Sequence, residues 1–121
     1  MHVRISFPIV LTCLVLLAGC GSSSTPEDLS GRLSAAQEIT DTSKRDSALA
    51  DVAKDAGKAG NGSVASDAVA KISSSNLRDT TAADVAVALA AAGDSAAATQ
   101  VAKQISSTTQ RNSVLEQIAT D

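Results

Sequence analysis

The chain has 121 residues, the length of one small domain. Ten basic and thirteen acidic side chains give a formal net charge of −3, which argues against a nucleic-acid footprint and against electrostatic adhesion to anionic lipid. His2, Phe7, Cys13 and Cys20 all stand in the first twenty residues and there is no Trp or Tyr. The rest of the chain therefore has no imidazole base, thiol nucleophile or soft metal ligand; no enzyme, metal or cofactor is expected.

The chain opens with a weakly basic start, His2 and Arg4, then a nearly unbroken apolar run from Ile9 to Leu17, then the small residues Ala18 and Gly19. That order is the signature of a secretory signal peptide. The run is too short for a membrane span, which needs roughly 20 apolar residues. The stretch Leu17-Ala18-Gly19-Cys20 resembles the lipobox of bacterial lipoproteins. The resemblance implies a diacylglyceryl group on the Cys20 thiol, cleavage between Gly19 and Cys20, and acylation of the new amine. Two or more acyl chains anchor stably where one is marginal, so the expected first partner is the lipid bilayer, through acylated Cys20. Cys13 leaves with the leader. Cys20 is then the lone thiol, no internal disulfide is possible, and lipidation consumes it. Gly21, rather than Asp, follows Cys20; by the same resemblance this implies the outer membrane, facing the periplasm, if the envelope is Gram-negative.

Residues 1–19 are thus read as leader and 20–27 as lipidated Cys and tether. Gly21-Ser22-Ser23-Ser24-Thr25-Pro26 has flexible linker composition and reaches roughly 20 Å when extended. The domain is expected to ride close to the membrane, as residues 28–121.

Within that domain the sequence has a 33-residue period. Arg45, Arg78 and Arg111 follow this step, as do Ile39, Ile72 and Ile105, and Val52, Val85 and Ile118. A fixed period of 20–50 residues marks a stacked repeat. Each period holds two helical patterns. Helix A carries Leu49, Val52, Ala53 and Ala56 in one copy and Ala82, Val85, Ala86 and Leu89 in the next, an i, i+3, i+4, i+7 stripe. Helix B carries Val64, Ala65, Ala68, Val69 and Ile72, then Ala97, Ala98, Val101, Ala102 and Ile105. Gly60 and Gly93 end helix A as left-handed residues. Ser43, Asn76 and Thr109, each with Asp46, Asp79 or Asn112 three residues on, predict loose capping boxes at its start.

The phase yields a half repeat at 28–44, full repeats at 45–77 and 78–110, and a half repeat at 111–121: an all-α αα-hairpin solenoid of about six helices. The pattern resembles a tetratricopeptide array, though without the large consensus residues of that family. The resemblance implies a helical-repeat module that binds or scaffolds an envelope protein or peptide. The alternative is a structural or surface Ala-rich lipoprotein without a specific ligand. A continuous coiled-coil rod is disfavoured by Gly57, Gly60, Gly62 and Gly93, each costing about 1 kcal/mol in a helix interior.

Three groups of residues invite chemistry. Gly57 to Ser63 lacks phosphate-loop spacing and reads as a turn. Asp46, Asp51 and Asp55 lack the calcium-loop pattern, and Asp51/Lys54 with Asp55/Lys58 read as i, i+3 ion pairs on a solvated face. Ala83, Val87 and Ala91 lie opposite the core stripe of the central helix. The resemblance places helix A on the concave surface, so these three form a candidate apolar binding strip. At the ends, Arg32 replaces Ala65 and Ala98, and Glu116 replaces Ala50 and Ala83. Polar ends cap a repeat array, and a monomer is expected.

Overall fold

The computed structural model describes residues 26–120. Residues 1–25, Gly19 and Cys20 among them, lie outside the described residues, as does Asp121. Among the described residues the elements are α1 (Pro26–Gln37), α2 (Thr42–Lys58), α3 (Gly62–Ala70), α4 (Ser75–Ala91), α5 (Ser95–Ala102) and α6 (Thr108–Thr120), and no strand occurs. The helices break at Gly60 and Gly93, so no continuous rod forms.

The 33-residue step of the sequence is also the step of the helices. α2, α4 and α6 begin at Thr42, Ser75 and Thr108, and α3 and α5 begin at Gly62 and Ser95. α2 packs against α3 and α4 against α5; α2 also packs against α4, and α4 against α6. Both predicted helix A stripes are buried, and so is every predicted helix B residue except Ala97, which is half-buried. Leu29, Leu49, Ile72, Leu89 and Ile105 are the largest of the fully buried side chains. Around them the core is mostly Ala and Val, whose small side chains let helix backbones approach. Gly57 illustrates this: a Cβ there would sit 3.3 Å from Val85 Cγ1 across the α2–α4 contact.

The turns out of helix A are as expected. Gly60 and Gly93 have φ of 72° and 94°. The next N–H reaches back along the helix, Asn61 to the Ala56 carbonyl at 2.8 Å and Asp94 to the Leu89 carbonyl at 2.9 Å. This is the Schellman closure, which satisfies a terminal carbonyl by way of a left-handed residue that glycine adopts freely. Asn61 and Asp94 then cap α3 and α5 by accepting from Val64 and Ala97. α1 starts earlier, at Pro26, so Asp28, at the position of Asn61 and Asp94, lies inside its first turn.

The starts of helix A differ from expectation. Its caps are Asp41 and Ser74, two residues before the predicted Ser43 and Asn76. Ser107, two before Thr109, stands in the same place and accepts from the Gln110 N–H at 3.4 Å. The predicted capping boxes do not form, because Asp46 and Asp79 lie a further turn into the helix and reach another segment. The charge pairs differ too. Lys54 pairs with Asp84 of α4 at 3.6 Å and Asp55 with Arg32 of α1 at 2.8 Å, so both pairs tie helices together where i, i+3 contacts along α2 were predicted.

Candidate functional site

Ala83, Val87 and Ala91 all lie on α4, where period 3.6 stacks them along one side. The structure grades them: Ala83 and Val87 are half-buried and Ala91 is exposed. Ala83 leans on the buried cluster. Lys54, which holds the Val87 position in the preceding repeat, is half-buried and ion-paired to Asp84. The strip is therefore apolar and partly exposed, and Asp84 of its own helix holds the Lys54 ion pair. By burial it is distinct from Val85 and Leu89 on the same helix, both fully buried.

A second arrangement was not anticipated. Asp46 of α2 accepts from the Ser73 N–H at 3.0 Å and the Ser74 N–H at 2.9 Å. One repeat on, Asp79 of α4 accepts from Ser106 N–H at 2.9 Å and Ser107 N–H at 3.2 Å. In each case one carboxylate clamps the backbone that enters the next helix A. The neighbouring arginines complete the pattern, Arg45 reaching the Ser73 hydroxyl at 3.5 Å and Arg78 the Ser106 hydroxyl at 3.1 Å. Burial works against ionising Asp46, yet the two N–H donors and the Arg45 charge outweigh it and hold its pKa below the ordinary value. For Asp79 the Ser106 N–H bond is the main cause of the same downward shift, opposed by burial and reinforced by the Ser107 N–H. The signal for these clamps was in the sequence. Arg-Asp at 45–46 and Ile-Ser-Ser at 72–74 recur unchanged at 78–79 and 105–107. The recurring Asp and Ser residues have no part in the apolar pattern, so their repetition points to a polar contact.

Comparison with protein-family models, with curated proteins and with solved structures gives no match for this chain. Among the described residues, no group of three or more His, Cys, Asp or Glu is placed to hold a metal ion, and no helix is long and apolar enough to cross a membrane. The Asp clamps are engaged by backbone donors, which suits a structural duty. Ala83, Val87 and Ala91 share one side of α4, grading from half-buried to exposed.

Proposed function

We propose that this chain is a bacterial envelope lipoprotein, anchored through acylated Cys20, whose helical domain is a small tetratricopeptide-like solenoid that binds or scaffolds another envelope protein and performs no catalysis itself. The address rests on Leu17-Ala18-Gly19-Cys20 behind an apolar run. The single observation that carries the module reading is the recurrence, one period apart, of the same helix pair with the same Asp clamp. Each pair has an apolar face that a neighbour must cover, which is the physical logic of a stacked array. The seam of Ala83, Val87 and Ala91 is its contact strip. In an outer membrane the domain would face the periplasm, held near the bilayer by the short tether. One feature favours a purely structural or surface lipoprotein instead: the strip is narrow and two of its three residues are half-buried.

Two measurements test this. Cys20→Ala is expected to abolish incorporation of labelled palmitate, because the thiol is the acceptor atom; label still entering the variant rejects the anchor. Crosslinking in intact envelopes is expected to give one stoichiometric adduct with the wild type that is lost in Val87→Glu. A wild type and a Val87→Glu variant with the same crosslinking profile would favour the structural reading.

A further inference from the structure

Among the described residues, the first layer of helices has no counterpart of the helix that covers each later layer. A shallow groove between α1 and α2 is lined by Arg32, Ala35, Ile39, Ala48, Asp51 and Val52, among others. Moved one period on, these positions become Ala65, Ala68, Ile72, Thr81, Asp84 and Val85, all buried except Asp84. Moved two periods on, they become Ala98, Val101, Ile105, Val114, Gln117 and Ile118, again buried except at the Asp51 position. The inner copies are covered because α2 lies over α3 and α4, and α4 lies over α5 and α6. In the first copy Ala35 is exposed and Ile39 and Ala48 are only half-buried. The backbone differs in parallel. Ser73, Ser74, Ser106 and Ser107 N–H groups are clamped by a carboxylate from the covering helix. At their counterparts, Thr40 and Asp41, no covering helix stands over the backbone among the described residues.

The two covering helices show what this face accepts. α2 carries Asp46, Ala50, Ala53 and Gly57, and α4 carries Asp79, Ala83, Ala86 and Ala90 at identical spacing; of these, Asp46, Asp79 and Gly57 meet the next layer directly. Asp supplies the backbone clamp, and the small residues permit close approach, as at Gly57 against Val85. Lys54, eight positions after Asp46, pairs with Asp84, the counterpart of Asp51. A second copy of this chain does not carry that signature: α6 offers Asn112 and Glu116 where α2 has Asp46 and Ala50.

We propose that the α1–α2 face is a docking site for one helix of a different protein. That helix carries an Asp near its start, Ala or Gly four, seven and eleven positions later, and a Lys or Arg eight positions after the Asp. The Asp caps Thr40 and Asp41, the small residues settle over Ala35, Ile39 and Ala48, and the cation meets Asp51. This rests on reading the domain as a helix-stacking module, and not on Cys20 or on the α4 strip.

The probe is a peptide with the α2 sequence, Thr42–Lys58, carrying Ser47→Lys and a lactam from that position to Asp51. Both positions are exposed in the protein, so the bridge holds the peptide helical and stays off the stripe of Asp46, Ala50, Ala53 and Gly57. It is titrated into the full-length mature protein in detergent micelles, followed by amide and methyl NMR. Saturable shifts at Ala35, Ile39, Ala48 and Val52, with downfield movement of the Thr40 and Asp41 amides, are expected. The peptide with Asp46→Ala should bind at least tenfold more weakly, and Ala48→Glu in the protein should block binding while its melting curve stays near that of the wild type. No shifts up to millimolar peptide, or shifts confined to the inner repeats, would overturn the proposal. The same shifts growing with protein concentration alone would overturn it in favour of a second copy. Loss of palmitate labelling or of the Val87 crosslink bears on the other readings and leaves this one standing.

Discussion

The junctions at Ser73–Ser74 and Ser106–Ser107 are made by the same atoms one repeat apart, yet they differ in depth. Asp46 is buried, with 4% of its surface exposed, while Asp79 is half-buried. The same grading runs through the core: Val85 is fully enclosed, and Ile118, its counterpart in the last helix, keeps 9%. Local sequence sets which hydrogen bonds form; the helices packed around each carboxylate set how deeply it is buried. A contact in the middle of the stack should therefore be worth more than its copy at the end.

The largest expected effect tests that ordering in the core. Val85→Glu buries an unpaired carboxylate under α2 and should cost about 4 kcal/mol or prevent folding. Ile118→Glu, at the edge of the last layer, should cost about half as much because its carboxylate swings into water. Val87→Glu, on the seam of the same helix as Val85, should cost less than ~1 kcal/mol, as surface changes do. Urea denaturation of the three variants gives the order. A Val87→Glu protein as unstable as Val85→Glu would mean that α4 is enclosed on all sides and that the seam is no surface.

The clamps come next. Asp46→Ala removes a buried carboxylate from two backbone N–H groups and should cost about 2–3 kcal/mol, in the range of hydrogen bonds to a charged partner. Asp79→Ala should cost about half that, since its carboxylate is only half-buried. Both carboxyl pKa values are lowered in the folded state. The stability they provide is therefore complete above the ordinary Asp range and is lost as pH falls through the lowered folded values. Acid titration of stability should show a loss below about pH 4 that is reduced in either variant. Equal costs for Asp46→Ala and Asp79→Ala would break the comparison.

The smallest effect has the opposite sign. The Thr81 hydroxyl is fully buried and has no hydrogen-bond partner among the described residues. The same position holds Ala48 in the first layer and Val114 in the last, so nothing in the repeat needs an oxygen there. Thr81→Val should raise stability by about 1 kcal/mol, the penalty of an unsatisfied buried donor. A measured loss on thermal melting would show that the oxygen is serving a contact after all.

Much of this architecture was legible in the residues themselves. The 33-residue step, the helical stripes and the break at each Gly60 or Gly93 all follow from local rules: apolar periodicity, and the left-handed conformation that only glycine takes cheaply. The anchor motif is likewise a matter of sequence, and Cys20 lies outside the described residues. What local rules missed were contacts between segments far apart in the chain. Asp46 read as half of a capping box because the nearest backbone is the usual partner for a short carboxylate. Its actual partners, Ser73 and Ser74, become neighbours only once α2 lies on α4. The ion pairs of Lys54 with Asp84 and Asp55 with Arg32 were misassigned along one helix for the same reason. The grading of Ala83, Val87 and Ala91, and the uncovered groove beside α1, are likewise properties of stacking. The sequence determines which face of each helix is apolar; only the tertiary structure decides which of those faces has a neighbour, because burial depends on what the rest of the chain places on top.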